Sequence, residues 1–304
     1  MPAAHDTSAL PQELSDVPGW FPNLDQVLFD WLLTRQESRG VHGDLLEIGV
    51  YMGKSAIFLG HHLRDGEDYT VCDLFEDEAP DGANKAESDK SYPTLTKQVF
   101  ERNYLSFHDA LPRVLRAPSS VVPDEVAPKS CRFVHVDASH LYEHVRGDIG
   151  AARDTLLPEG VVVLDDFRSE HTPGVSIAAW EAVLNRGLKP ICLSTQKLYG
   201  TWDDPGPVQE ELLAMVRERG DCHLSVQEAA GHRIVRVKSK KGMAAPAFPP
   251  SRHYRAPAAT PAATPERGPR TAPKGPAARA RARRLAADLL PPVVTRAVRR
   301  GRAG

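Results

Sequence analysis

Three acids and one histidine are the residues best placed to do chemistry. Asp137 and His140 lie in VDASHLYEHV (136–145), while Asp165 and Asp166 end the apolar run VVLDDF (162–167). Each acid follows a run that reads as a buried strand. In a parallel sheet the carboxyl ends of the strands share one edge, so acids far apart in sequence converge there. Converging carboxylates repel by ~1 kcal/mol per pair at 4 Å in water and roughly 4 kcal/mol at an effective dielectric of 20, which favours protonation or a bound cation. An all-oxygen set at Asp137, Asp165 and Asp166 suits Mg²⁺ or another hard divalent ion. His140 stands one helical turn from Asp137, and a histidine, with a reference pKa of about 6.5, accepts a proton near neutrality. The plainer alternative has Asp137 capping a helix or binding a cofactor, Asp165 facing the next loop, and no metal.

A second constellation is DLLEIGVYMGKS (44–55), an apolar strand entering a glycine turn that opens a helix. Ligands of open α/β sheets bind at such an edge. Three readings compete for it. Gly49 to Ser55 spells G-x-x-x-G-K-S, one residue short of a phosphate-binding loop: Ile48 stands where the first glycine is needed, and Glu47 would face a polyphosphate. A dinucleotide loop needs a glycine where Tyr51 stands. The third reading rests on Glu47, Gly49 and Gly53, whose E-x-G-x-x-x-G resembles the acidic-glycine loop of class I S-adenosylmethionine-dependent methyltransferases. That cofactor carries a sulfonium, an ammonium and a carboxylate, so an acid before the loop and helix N–H groups after it complement it, with Lys54 and Ser55 meeting the carboxylate. Asp73 ends the next apolar run, where an acceptor for a ribose diol is expected.

The elements that must position these residues follow from periodicity. Leu24, Val27, Leu28, Trp31 and Leu32 mark an amphipathic helix before the first strand. Beyond Asp73, residues 75–93 form a polar stretch at a strand's carboxyl end, the place for a substrate lid. A helix near 95–105, a strand near Val114, strands at 132–137 and 160–165 and a helix at 141–155 continue a β-α-β pattern. A helix at 174–185, strands at 190–194 and 198–202, a helix at 208–218 and a last strand at 232–237 complete it. His61, His62 and His135 read as structural, His144 as a weaker second base, and His171 as a neighbour of the acidic pair. Tyr142 and Trp180 suit either the core or a pocket wall.

Composition divides the chain. Its 304 residues are 41% hydrophobic and 26% charged with a net charge of −2, yet residues 238–304 hold 16 Lys and Arg against Glu266 and Asp288, hence +14, leaving −16 on residues 1–237. That end also holds 11 of the 26 prolines and 17 alanines, a composition that cannot repay ordering and reads as a disordered basic tail. Within it, 277–290 reads as a basic helix able to touch an anionic surface or nucleic acid. The expected organisation is a helical cap over 1–40, a core domain over 41–237 and the tail over 238–304. No signal peptide or transmembrane span is visible, and Cys72, Cys131, Cys192 and Cys222 form no C-x-x-C pair, so a cytoplasmic protein with reduced cysteines is expected.

D-x-S-H-x-Y from Asp137 to Tyr142, followed by a hydrophobic run into Asp165–Asp166, resembles the methyltransferase family that includes macrocin O-methyltransferase, over roughly 44–202. The resemblance implies a Rossmann-like α/β fold with a mostly parallel, doubly wound sheet, and a methyl group carried from S-adenosylmethionine to the hydroxyl of a small-molecule acceptor such as a glycosylated or specialised metabolite. It also implies a divalent metal on Asp137, Asp165 and Asp166, with His140 as base. Asp137 doubles as a cofactor contact, and a homo-oligomer is compatible with this reading. Two other functions stay open here: a P-loop-like ATPase or kinase, since GVVVLDDF resembles a strand ending in a metal-binding acid, and a non-catalytic cofactor-binding module attached by its basic tail.

Overall fold

Alternation of large apolar side chains builds the central sheet and sorts them onto its two faces. In the computed structural model, which describes residues 9–91 and 95–256, the chain runs through α1 (Asn23–Ser38), β1 (Asp44–Ile48), α2 (Lys54–Gly60), β2 (Tyr69–Asp73), α3 (Gly82–Ser91) and α4 (Lys97–Tyr104). It continues through β3 (Arg113–Arg116), α5 (Val122–Glu125), β4 (Cys131–Val136), α6 (Tyr142–Thr155), β5 (Leu156–Leu164) and α7 (Pro173–Asn185). Last come β6 (Lys189–Leu193), β7 (Leu198–Thr201), α8 (Gly206–Arg219), β8 (Cys222–Ala229) and β9 (His232–Ser239). The strand order is β3-β2-β1-β4-β5-β7-β6-β9-β8. β3, β2, β1, β4 and β5 are mutually parallel, and β7 runs antiparallel between β5 and β6. The order reverses at β1 and β4, which makes the sheet doubly wound and puts the switch point beside the glycine turn.

Leu45, Val71, Phe133, Val161 and Val163 face one side and bury against Phe29 and Leu32 of α1, Ile57 and Phe58 of α2 and Leu212 and Val216 of α8. Leu46, Ile48, Val134, Val136, Val162 and Leu164 face the other, under Ile149 and Ala152 of α6 and Ala178 and Ala182 of α7. Both faces are covered, as a parallel sheet requires. The four cysteines are free and buried. Among the described residues no helix is long and apolar enough to cross a membrane.

The structure departs from expectation in three places. The polar stretch after Asp73 contains a helix, α3. β8, paired antiparallel along β9, was not expected: its apolar alternation is confined to Cys222, Leu224 and Val226, and most of the strand is exposed. The core domain also does not end at residues 237–241. The chain turns back after β9, Met243 is buried, and its carbonyl accepts from Asn23 Nδ2 at 2.9 Å. The Phe248 ring stacks on Phe58 with centroids 5.4 Å apart, and Ser251 Oγ donates to the Pro11 carbonyl at 2.6 Å. A few anchoring side chains thus hold a segment whose overall composition reads as tail. Residues 257–304, with the expected basic helix, lie outside the described residues.

Candidate active site

The turn between β1 and α2 is shaped by its two glycines. Gly49 has φ +83°, and a Cβ there would be driven into the backbone carbonyl of Asp137. Gly53 has φ +93°, and a Cβ would meet the Phe100 ring at 3.0 Å. Asp73 closes the turn from β2: its Oδ2 accepts from the Val50 and Tyr51 N–H groups at 2.8 and 3.2 Å, and its Oδ1 from Phe75 N–H at 2.7 Å. Burial raises its pKa while these bonds oppose the rise. A carboxylate offers about four acceptor positions, so one is left after the loop is held. Lys54 Nζ donates to the Gly19 carbonyl at 3.3 Å, which ties the N-terminal segment to the turn, and burial lowers the Lys54 pKa while Asp16 opposes it. Beside it Trp20, 70% exposed, lies 5.7 Å from the Tyr51 ring. Ser55 is half-buried in the first turn of α2.

Glu47 is placed differently from its expected role. It is fully buried and accepts from Tyr69 Oη at 2.6 Å and His135 Nδ1 at 2.8 Å. Strand parity is the reason: Leu46 and Ile48 face α6 and α7, so Glu47 between them points to the opposite layer. Glu47 therefore supports the turn from within the core.

At the next two strand ends, Asp137 N–H donates to the Ile48 carbonyl at 2.7 Å and Asp165 N–H to the Val136 carbonyl at 2.9 Å. These bonds set Gly49, Asp137 and Asp165 side by side along ~10 Å of one edge, two strand spacings. Asp166 leaves the group. With φ +50° it turns toward the loop after β4, where its Oδ2 lies 3.0 Å from His140 Nε2 and its Oδ1 accepts from Ser169 Oγ. Burial pushes the Asp166 carboxyl up, but the hydrogen bonds of His140 and Ser169 and the charges of His140 and His171 hold it below its ordinary value. The rings of His140 and His171 are 6.3 Å apart. The approach of α7 to this loop needs Gly174, where a Cβ would collide with the His140 carbonyl. Tyr142 donates to Glu181, and Trp180 packs on Phe167, so both aromatics serve packing.

A family model described as a methyltransferase domain matches residues 46–167, from β1 through the acids after β5. The chain carries a methyltransferase domain. No curated protein sequence matches it. Among solved structures it is similar to the O-methyltransferase NovP, with 20% identity and a TM-score of 0.48 over 59% of this chain and 81% of that one. The calicheamicin methyltransferase CalS11 is similar at 18% identity and TM-score 0.45, over 60% and 79%. The O-methyltransferase TomG from Streptomyces achromogenes, in complex with SAM, is similar at 16% and 0.32, over 72% and 79%.

In this methyltransferase the glycine turn fits S-adenosylmethionine: Gly49 and Gly53 keep the backbone clear of side chains, and Asp73 stands at the end of the adjacent strand. The three acids expected to hold a divalent ion are divided between two places. Asp137, Asp165 and Asp166 are not one set, because Asp166 is engaged by His140. Donor atoms of His135, Asp137 and Asp165 do lie within 4.8 Å of one another, but a side chain that the sequence reading passed over is already there. Lys197 Nζ contacts Asp165 Oδ2 and lies 3.4 Å from His135 Nε2. Burial lowers the Lys197 pKa, and the charges of Asp137, Asp25 and Glu47 oppose the shift. The signal that points to Lys197 is register: β5 and β7 pair Val163 with Tyr199 and Leu164 with Leu198, which puts Asp165 opposite Lys197 one step on.

Proposed function

We propose that this methyltransferase transfers a methyl group to a hydroxyl oxygen of a small-molecule acceptor, with His140 as general base and Asp166 as the group that orients it. The 3.0 Å pair between His140 Nε2 and Asp166 Oδ2, on the same sheet edge as the glycine turn, carries this reading. S-adenosylmethionine supplies a methyl group already activated by its sulfonium, so the protein's task is to bring up the acceptor and deprotonate it. The acceptor's proton passes to the imidazole of His140, and the imidazolium is held by the Asp166 carboxylate through Nε2–H. Ser169 donates to the other Asp166 oxygen and keeps that carboxylate aimed at the ring. Asp73 and the two turn glycines hold the cofactor, and Asp137 stands between cofactor and base. The resemblance to the macrocin O-methyltransferase family supports a glycosylated or other specialised metabolite as acceptor.

Transfer of labelled methyl from S-adenosylmethionine to a panel of hydroxylated small molecules, glycosides included, tests the reading. His140→Ala is expected to lower transfer ~10²- to 10⁴-fold, with cofactor affinity unchanged by calorimetry. Undiminished turnover in that variant removes His140 as base. ATP binding without S-adenosylmethionine binding overturns the reading as a whole.

A further inference from the structure

Strand register concentrates charge beneath the active edge. Glu47 pairs with His135, His135 with Val163 and Val163 with Tyr199, so these residues share a face. Asp165 and Lys197, each two positions along its strand, join them there. Asp25 of α1 closes the group from above and accepts from Tyr199 Oη at 2.6 Å. Four carboxylates, those of Glu47, Asp25, Asp137 and Asp165, therefore surround Lys197 and His135, and Lys197 is only 1% exposed. Carboxylates in such a place require a cation. The Lys197 backbone is pinned to deliver one: its N–H donates to Ser194 Oγ at 3.0 Å, and its carbonyl accepts from Ser194 N–H at 2.9 Å across the β6–β7 turn.

We propose that the Lys197 ammonium is the resident cation of this carboxylate cluster, standing where a divalent ion would otherwise sit, so that the methyltransferase works without one. Any ion bound by His135, Asp137 and Asp165 would have to displace Lys197 from Asp165. An ammonium presents three donors, matching the acceptors that converge on it. The inference concerns the cluster, and its test needs no acceptor, so it stands or falls separately from the assignment of His140.

Titration of the full chain with Mn²⁺, followed by electron paramagnetic resonance of the free ion, reads it directly. The wild-type protein is expected to show no stoichiometric site, and Lys197→Met is expected to gain one Mn²⁺ per chain that a further Asp165→Asn removes. A wild-type site abolished by Asp165→Asn overturns the proposal, as does a folded Lys197→Met that gains none. Should Lys197→Met not fold, the double variant with Asp165→Asn, which removes both members of the pair, is expected to recover the fold. A double variant as unstable as the single one also overturns it.

Discussion

Asp148 offers a prediction whose size follows from one side chain. It sits on the buried face of α6 with 3% of its surface exposed, and its Oδ2 has no hydrogen-bond partner among the described residues. Burial pushes its carboxyl from an ordinary 3.8 up to about 6, against the opposing pull of Ser119 and His144. Between those values the native protein holds a proton that the unfolded chain has lost, so stability falls as pH rises through the window and the full penalty applies above about pH 6. A gap of about 2 pH units at 1.36 kcal/mol each sets a ceiling near 3 kcal/mol, of which roughly 2 kcal/mol falls between about pH 4.5 and pH 7. Asp148→Asn does not titrate. Whatever the amide costs in packing is the same at both pH values, so the variant's stability relative to wild type should rise by about 2 kcal/mol from pH 4.5 to pH 7. Urea denaturation at the two pH values measures this. A relative stability that stays within ~0.5 kcal/mol shows that Asp148 is not held up by burial and refutes the reasoning.

Gly49→Ala places a Cβ against the Asp137 carbonyl in a left-handed backbone, at a conformational cost of ~1–2 kcal/mol before the clash. Calorimetry is expected to show S-adenosylmethionine affinity at least ~10-fold weaker, and an unchanged Kd removes this turn from cofactor binding. Asp166→Asn should lower transfer ~10- to 10²-fold, and adding it to His140→Ala should cost nothing more, because the two act as a unit; additive losses in kcat/KM would separate them. Arg132→Met strips three partners at once, since the buried guanidinium donates to both Glu67 oxygens at 2.9 and 2.8 Å, to Gln36 Oε1 at 3.2 Å and to the His62 carbonyl at 2.7 Å. Glu67 keeps Arg64 and the Gly43 N–H, so the expected loss in urea denaturation is roughly 3 kcal/mol, the low end for breaking a buried pair, and a loss below ~1 kcal/mol contradicts a buried pair.

What could be read from the residues was whatever local pattern determines. The glycine turn, the strand ends at Asp73, Asp137 and Asp165 and the two-faced parallel sheet all follow from apolar runs and their punctuation. What lay beyond reach depended on pairing between distant strands or on a single backbone angle. Asp166 follows Asp165 directly, yet its positive φ sends it to His140 instead of a shared ion. Lys197 gains its meaning only once β7 is known to run antiparallel beside β5. Glu47 was legible in part: flanked by Leu46 and Ile48 on a buried strand, it had to face the opposite layer, and parity alone would have moved it from the ligand to the core. β8 alternates only at Cys222, Leu224 and Val226 before it turns wholly polar, too short a signal to set it apart from a loop.

The returning segment after β9 has a consequence for how the molecule is made. Pro11 and Gln12 are secured by Ser251, a contact spanning 240 positions, and the N-terminal segment they begin also carries Gly19 and Trp20 to the glycine turn. A segment that leaves the ribosome early is fastened by one that follows it 240 positions later. The sheet can form while synthesis proceeds, but the rim of the cofactor turn is completed only after translation has passed residue 251, so a nascent or truncated chain carries the strands of the active site without its finished mouth.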